Sequence, residues 1–456
     1  MTVVSAGATR GLLFKMAAWN PGTGREAFDG LRRCRAPVVS DGGAEELGPV
    51  LAWVLDRSHQ ASALDVAELI DEAARRLGIG SARLFLADIQ QLRLNPLPRP
   101  GDRGPDAPAS ADIDGSLAGL AYRTQRVQQN RDGDTSWFPM TDGVERIGVM
   151  QVSGPGTGRT EAGRALASLA TLLVVSQSSH DDLLVRHQRT SPMSLQAELL
   201  WAFLPPRTIG TTRATSAAML EPAYDIGGDA FDHTFVDGTL HLTMLDAMGH
   251  DLASGGASAA AVAACRATRR SGSALPSIAT TIDRTLARWI PDRLMTGVIA
   301  ELDTHSGDFH WINCGHPPPL LIRDGRVLPR ALERDAELPL GLGFHDPEPP
   351  ARHHVRLQPG DRVVIHSDGV TEARSPDGDL FGEDRLTDTV IRSLASGHNA
   401  PESLRRLVQN LLAHQEHRLR DDATILLAEW HPAPGPGRDG PARRWCAPRT
   451  APLPSK

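Results

Sequence analysis

The sequence lacks most of the features that mark several large protein classes. Lysine occurs only at Lys15 and Lys456, and the net charge is -7, so there is no basic surface that would favour nucleic acid as a partner. The four cysteines are scattered without paired spacing, which argues against a disulfide framework or a zinc site and fits a reducing cytoplasm. No apolar run approaches the length of a membrane span, and residues 11–19 are interrupted by Lys15. We therefore expect a soluble, cytoplasmic protein that uses neither nucleic acid nor a membrane.

What the chain does have is length, because 456 residues allow two or three domains with full cores. Residues 1–45 are rich in Gly, Ala and Arg, and residues 431–456 form a Pro/Gly/Arg tail. Neither composition packs a core, so we expect disorder in both. Helix and strand patterns over residues 46–180 predict a small α/β domain, and 181–206 predicts a helical linker. Strand signals with helices between them over 207–430 predict an α+β sandwich.

Three segments carry the pattern of the smaller domain: G-S-L-A-G-L-A-Y-R-T at 115–124, W-F-P-M at 137–140 and E-R-I-G-V-M-Q-V at 145–152. Residues 117–122 and 147–152 are predicted strands. Together the segments resemble a GAF domain, which implies a sensor module with a small-molecule ligand. A structural α/β domain without a ligand is the alternative. The linker over 181–206 could form a short coiled coil between two protomers, which would make the protein a homodimer.

The most informative stretch runs from residue 224 to 251. Asp229 follows the pair Gly227-Gly228, and Asp246 ends an apolar run. Between them, Asp237-Gly238 is a hairpin signal. The hairpin would bring the two carboxylates close together, where they repel. A fold tolerates such a pair best around a cation, so the stretch suggests a metal site.

Two further acidic positions lie at predicted strand ends. Asp368 follows the apolar segment 363–366, and Asp421 and Asp422 precede the last strand signal, 425–430. One Asp beside a Gly is usually a turn residue or a helix cap. Four such positions are better explained by a hard cation such as Mg²⁺ or Mn²⁺, which prefers oxygen ligands.

Ten short segments then follow one another between residues 195 and 426. They are L-Q-A-E-L-L-W-A-F-L-P-P (195–206), G-G-D-A-F-D (227–232), D-A-M-G-H (246–250), M-T-G-V-I-A-E-L-D (295–303), C-G-H-P-P-P-L-L (314–321), P-L-G-L-G (339–343), L-Q-P-G-D (357–361), S-D-G-V-T-E (367–372), F-G-E-D-R-L (381–386) and D-D-A-T-I-L (421–426). Their order resembles that of the PPM-type metal-dependent Ser/Thr protein phosphatases, in the bacterial SpoIIE-like branch that includes RsbU-type regulators. The resemblance implies an α+β fold with a β-sandwich flanked by helices.

The resemblance also implies the chemistry of the site. The motif positions that would hold two Mn²⁺ or Mg²⁺ ions are Asp229, Asp246, Asp368, Asp421 and the backbone carbonyl of Ala247, with Asp422 as the alternative at the last aspartate. Asp229, Asp246 and Asp368 are the expected catalytic residues. Two such cations about 4 Å apart bridge and activate a water that attacks the phosphorus in line. The implied substrate is a phosphorylated anti-sigma-factor antagonist in a partner-switching pathway, under the control of the GAF-like module through the 181–206 helix.

Some positions leave alternatives open. The family usually has Gly where this chain has Asp251, which could join the site or cap the following helix, and we favour the cap. His250 could donate a proton or contact a metal ligand, or it could be a buried structural residue. His316 is expected to fix a turn, and Asp232 to bind a metal through water or to serve as a turn or cap residue.

Two other functions stay open. The first is a non-catalytic signalling scaffold that binds its partner through the phosphatase fold, with the departure at Asp251 as its main support. The second is a phosphatase for small phosphoesters. Retention of all four motif aspartates favours the protein phosphatase over the scaffold.

Overall fold

The computed structural model describes residues 44–99, 102, 108–154, 156, 158–345, 348–416, 419 and 421–431. The expected disorder of residues 1–45 and 431–456 lies almost entirely outside these residues and stays a prediction there, whereas residues 44 and 45 lie in the first helix. Apart from the start of the first helix, the features that follow belong to one compact unit, Val50–Lys456. No helix in the described ranges combines the length and apolar character needed to span a bilayer.

The N-terminal part is an antiparallel sheet with helices on both faces. Its six strands have the order β3-β2-β1-β6-β5-β4. Phe138 packs against one helical layer at Gly163, while its neighbour Trp137 faces the other side and meets Phe85, with ring centroids 5.3 Å apart. The elements are α1 (Ala44–Ser58), α2 (Ala63–Arg76), β1 (Ser81–Ala87), β2 (Arg93–Pro96), β3 (Ala111–Asp112), α3 (Leu117–Thr124), β4 (Gln128–Gln129), β5 (Thr135–Asp142), β6 (Glu145–Ser153) and α4 (Thr160–Gln177).

Helices packed on a sheet are compatible with the separate α/β domain predicted here, while the likeness to a GAF domain stays a prediction. The predicted strand over 117–122 is wrong, because these residues lie in α3. The Ser116 hydroxyl caps this helix by accepting from the Gly119 amide at 2.9 Å, and Ala118, Ala121 and Tyr122 are buried on one face.

The linker is helical only in part. It contains α5 (Asp182–His187) and α6 (Leu195–Phe203), so one continuous coiled coil over 181–206 is not formed. The break contains Pro192, and α6 restarts at Ser194, whose hydroxyl accepts from the Ala197 amide. A helix of six residues such as α5 is too short to carry heptads.

The C-terminal part is the predicted β-sandwich flanked by helices. A five-stranded sheet, β15-β12-β11-β10-β9, packs on a six-stranded sheet, β14-β13-β16-β17-β8-β7, around one large apolar core. The elements are β7 (Thr208–Gly210), β8 (Ala214–Glu221), β9 (Asp229–Val236), β10 (Thr239–Ala247), α7 (Leu252–Arg270), α8 (Leu275–Trp289), β11 (Met295–Asp303), β12 (Asp308–Cys314), β13 (Leu320–Arg323), β14 (Arg326–Val327), β15 (His353–Arg356), β16 (Arg362–His366), α9 (Asp368–Thr371), α10 (Gly382–Ala395), α11 (Ala400–His414) and β17 (Ala423–Trp430). The fold class predicted from the sequence is confirmed.

Buried charged residues connect the two parts, in a cluster that we call the charged joint. Arg146 of β6 donates to Glu402 of α11 at 2.9 Å, with exposed side-chain fractions of only 3% and 1%. Arg405 also binds Glu402 and reaches Asp114 of the N-terminal part at 2.8 Å. The Gln91 side-chain oxygen accepts from Arg146 at 2.7 Å. Each buried charge in the joint therefore has a partner of opposite sign.

The turn that carries Gln91 also touches the strand end nearest the acidic residues. Gln90 donates to the carboxylate of Glu221 at 3.2 Å, and Gln91 donates to the sulfur of Met219 at 3.4 Å. Glu221 ends β8 and pairs in register with Ala423 of β17. The N-terminal part thus contacts the strand that leads into Gly227-Gly228-Asp229.

Removing the anion of the charged joint should destabilise the protein. The substitution Glu402→Gln leaves the guanidinium groups of Arg146 and Arg405 buried without their shared carboxylate. The free energy of unfolding, measured in urea, should fall by about 3–5 kcal/mol. Asp388→Asn is the matched control, since its ion pair with Arg392 is exposed and should be worth less than about 0.5 kcal/mol. Equal stability of the two variants would contradict the structural role of the joint.

Candidate metal centre

The predicted hairpin is present and sets the first pair of carboxylates. Strands β9 and β10 are antiparallel, and their register places Asp229 opposite Asp246. The connection bends at Asp237 and Gly238, both with positive φ, at 47° and 82°, as expected for a type I′ turn. The two carboxylates, 17 positions apart in the chain, are therefore cross-strand neighbours.

The glycine pair before Asp229 is required by close packing. A Cβ at Gly227 would lie 2.4 Å from the Cα of His250, and one at Gly228 would lie 2.3 Å from the carbonyl oxygen of Ala247. The Gly228 carbonyl accepts from the Ser258 hydroxyl and from the Ala247 amide at 3.4 Å. Only glycines can bring the backbone before Asp229 this close to the turn after β10. Asp229 therefore lies near the Ala247 carbonyl.

The second pair of acidic positions comes from the other sheet. Asp368 follows β16, and Asp421 precedes the neighbouring strand β17. The Ser367 hydroxyl accepts from the Thr424 amide at 2.9 Å, which ties the two strand ends together. A Cβ at Gly369 would lie 2.0 Å from the Asp422 carbonyl oxygen. The segment S-D-G therefore packs directly on the turn that carries Asp421.

Hydrogen bonds join the two pairs across the sandwich. Thr424 donates its hydroxyl hydrogen to the Asp229 carboxylate at 2.6 Å. The Asp422 carboxylate accepts from the amides of Gly227, Gly228 and Asp229, at 2.8, 2.6 and 3.0 Å. Aspartates from both sheets are thus brought to one end of the sandwich.

Burial and like charge together raise the pKa of the inner carboxylates. Burial, followed by the charges of Asp368, Asp421 and Asp422, raises the pKa of Asp246 to about 7. Burial, followed by the charges of Asp246 and Asp422, raises the pKa of Asp229 well above its usual range. Asp229 is buried, whereas Asp368 and Asp421 are exposed. The cluster is therefore an acidic site that opens to solvent on one side.

The donor chemistry of this site fits a hard divalent cation. Carboxylates that raise one another's pKa repel, and a bound cation would offset that repulsion. In the described part of the chain, no three or more His, Cys, Asp or Glu side chains are arranged so that they could already hold an ion. The ligand set implied by the motifs therefore stays a prediction.

Asp251 caps helix α7, as we favoured. Its carboxylate accepts from the Ser254 amide and hydroxyl, each at 2.9 Å, and from Arg293 at 2.7 Å. Hydrogen bonds from Ser254, followed by the one from Arg293, lower the pKa of Asp251 to about 2. The residue that departs from the family pattern therefore has a structural role next to the site.

The structure shows that Asp232 is not a turn or cap residue, whereas its contact with a metal through water stays a prediction. This side chain is buried against Arg266, at 2.7 Å, and Arg269, at 2.7 Å. It lies inside β9 rather than in a turn or at a helix end. The ion pairs with the arginines were not predicted because both arginines come from α7, which follows more than 30 positions later in the chain.

The two histidines with open roles, His250 and His316, differ in burial. His250 is exposed, so its interpretation as a buried structural residue is wrong. His316 is buried and fixes a turn as predicted, because its amide donates to the Asn313 side chain and its carbonyl accepts from it, both at 2.8 Å. Burial, followed by the charge of His366, lowers the pKa of His316 to about 3.

Sequence reasoning missed two hydroxyl residues of the site. Thr424 orients Asp229, and Ser367 connects the ends of β16 and β17. Both lie inside motif segments, S-D-G-V-T-E and D-D-A-T-I-L. The only available signal was their position directly beside or near a motif aspartate, since a lone Ser or Thr at a strand end is common.

Comparison with known proteins identifies this part of the chain. Residues 236–431 match the model of the family described as Stage II sporulation protein E (SpoIIE). Residues 236–431 therefore carry a SpoIIE-type domain. The match spans less than half of the 456 residues and leaves the N-terminal part unassigned.

Individual relatives are distant. Protein IcfG of Synechocystis sp. is 27% identical over 134 residues, which is 29% of this chain and 20% of that protein. This chain thus matches about a fifth of the length of that curated relative. Among solved structures, the RsbU and RsbW domains of Rv1364c from Mycobacterium tuberculosis are 22% identical, with a TM-score of 0.42 over 50% of this chain and 63% of that chain. The SiaA-PP2C domain of Pseudomonas aeruginosa is also 22% identical, with a TM-score of 0.43 over 51% and 94%.

Replacing one inner carboxylate should stabilise the metal-free SpoIIE domain at alkaline pH. The pKa of Asp246 in the folded protein, about 7, lies above the unfolded value near 3.9. The stability that this group contributes is therefore present at low pH and lost as the pH rises through 7. Asp246→Asn should raise the Tm at pH 8 by about 2 °C or more, and the gain should shrink towards pH 5.

The matched control is Asp142→Asn, at the exposed end of β5, which should show no pH-dependent gain. Both Tm series are measured by scanning calorimetry in the presence of a chelator. A wild-type Tm that stays constant between pH 5 and 8, with no gain in Asp246→Asn, would contradict the raised pKa.

Proposed function

We propose that this protein is a metal-dependent protein serine/threonine phosphatase that hydrolyses phosphoserine and phosphothreonine. One observation carries the proposal. The aspartates of four SpoIIE-type motifs meet at one end of the sandwich, where burial and like charge raise the pKa of Asp246 to about 7. A carboxylate cluster of this kind is matched to cations and to a phosphoryl group.

The residues that would hold two Mn²⁺ or Mg²⁺ ions are Asp229, Asp246, Asp368, Asp421 and the Ala247 carbonyl. Asp421 is preferred to Asp422 because both oxygens of Asp422 already accept backbone amides. When bound, such ions supply a water of lowered pKa and positive charge for the phosphoryl oxygens. Thr424 holds Asp229 in one orientation through the bond to its carboxylate. Asp229 and Asp246 must lose their protons to bind cations, so binding should release protons near neutral pH.

The accessible side of the site suits a protein substrate. Asp368 and Asp421 are exposed, so a phosphorylated side chain on the surface of another protein can approach them. The SpoIIE-type domain supports an anti-sigma-factor antagonist as that protein, within a partner-switching pathway in the cytoplasm. Asp229, Asp246 and Asp368 are the catalytic residues of this proposal, since they would contact the ions at the reacting centre.

The structure weakens the scaffold alternative. Its main support was Asp251, and that residue caps α7 and pairs with Arg293 while the motif aspartates converge beside it. A phosphatase for small phosphoesters uses the same site, and a panel of substrates separates it from the protein phosphatase.

The proposal includes regulation of the phosphatase activity by the N-terminal part, in response either to a bound small molecule or to formation of a homodimer. The charged joint and the contact from Gln90 to Glu221 support a route that does not depend on a continuous linker helix. Deleting residues 1–180 is a poor test, because it also removes Arg146 and Asp114 from their buried partners on α11. Glu402→Gln breaks the joint in the full chain and should change the metal-dependent rate, although it touches no catalytic residue.

The proposal predicts phosphate release from a phosphoserine or phosphothreonine protein in the presence of Mn²⁺. Chelation with EDTA should abolish it, and added Mn²⁺ should restore it. In Asp229→Ala and in Asp368→Ala, the rate of phosphate release should fall by more than the roughly 10–100-fold that is typical when a residue outside the ligand shell is replaced. Asp56→Ala, at an exposed position of α1, is the matched control and should be unaffected.

The decisive contrary result is a folded wild-type protein that binds its partner but releases no phosphate at any Mn²⁺ or Mg²⁺ concentration. That outcome would establish the scaffold. Equal activity in wild type and Asp229→Ala would show that another site carries the reaction.

A further inference from the structure

Asp422 has a different environment from the other aspartates of the site. Its carboxylate receives three consecutive backbone amides, those of Gly227, Gly228 and Asp229, at 2.6 to 3.0 Å. Asp422 itself is only 8% exposed. The Asp421 carboxylate, one position earlier, instead accepts the Asp422 amide at 2.9 Å and is exposed.

Three amides directed at one point form a concave patch of positive dipoles, which favours an anion. An ionised carboxylate has about four lone-pair positions. Oδ2 accepts from the amides of Gly227, Gly228 and Asp229, and Oδ1 shares the amide of Gly227. These three donors leave Oδ2 with little capacity to bind a cation as a principal ligand.

Few other contacts fix the conformation of the segment 227–229, to which these amides belong. The glycine pair brings no side chains, and a Cβ at either position would collide with the turn after β10. Glycine also loses more conformational freedom on folding than any other residue. Besides the Ser258 hydroxyl bond to the Gly228 carbonyl, the hydrogen bonds to Asp422 are the main polar contacts that fix the approach to Asp229.

We propose that Asp422 is a positioning residue: its carboxylate gathers the amides of Gly227, Gly228 and Asp229 and so sets the orientation of Asp229, without being a metal ligand. This inference rests on the proposed function only for its consequence, the binding of a divalent cation. The folding of the loop around Asp422 is a property of the metal-free chain.

The first test is amide hydrogen exchange of the metal-free full-length protein, followed in peptides that cover residues 224–231. Asp422→Ala should accelerate exchange of the 227–229 amides by about 10–100-fold, the loss expected when hydrogen bonds to a charged group are removed. Asp422→Asn keeps one acceptor oxygen but loses the charge, so exchange of these amides should be intermediate, about fivefold faster than in wild type. Asp421→Ala, the adjacent control, should leave this exchange unchanged.

The second test is calorimetric titration of the same variants with Mn²⁺. Asp422→Ala should weaken Mn²⁺ binding by about 10–100-fold, and the phosphatase rate should recover at saturating Mn²⁺. Asp421→Ala should lose Mn²⁺ binding at one of the two proposed ion sites. If Asp422→Ala fails to fold, the intermediate exchange rate of Asp422→Asn carries the test.

Two results would overturn the inference. One is wild-type exchange of the 227–229 amides in Asp422→Ala. The other is an Asp422→Ala variant that binds Mn²⁺ as poorly as Asp229→Ala and does not recover at saturation, since that would make Asp422 a ligand. A wild-type protein that binds no Mn²⁺ would contradict the proposed function instead, while the exchange measurement would still decide the role of Asp422.

Discussion

Repulsion between carboxylates held in a fixed frame is the constraint on which this structure depends. Strand register places Asp229 opposite Asp246, and burial prevents water from screening their charges. The surrounding chain compensates with oriented donors, the Thr424 hydroxyl and the arrangement of amides around Asp422. These contacts hold the acidic groups where a divalent cation would be most stabilising. In such a site, the metal-free fold already favours the binding of a cation.

The acidic end of the sandwich is also connected to the rest of the molecule. Strand β8 ends at Glu221, beside β17, and receives a hydrogen bond from Gln90 of the N-terminal part. Helix α11 packs on the same sheet and carries Glu402 and Arg405 of the charged joint. Because buried charges tolerate little displacement of their partners, the two parts can shift only if this network rearranges. That gives the N-terminal part a physical means of affecting the acidic end of the sandwich.

Local signals in the sequence predicted the local parts of this arrangement. The Asp237-Gly238 turn, the apolar run and the glycine pair define the hairpin, and the motif order predicted the sandwich. Contacts between distant segments could not be predicted from the sequence: Asp232 pairs with arginines of α7, and the charged joint connects residues up to 314 positions apart. The short helix α3 was mistaken for a strand because its cap at Ser116 outweighs the local apolar pattern. Linker residues 188–194 are not helical, and they contain Pro192.

Crystals of the protein grown with Mn²⁺ and measured at the manganese absorption edge would show where the cations bind. We expect two anomalous peaks at the acidic end of the sandwich, in contact with Asp229, Asp246, Asp368 and Asp421, with the Asp422 carboxylate still bound by the 227–229 amides. Well-occupied manganese elsewhere, with none among these four aspartates, would contradict this expectation.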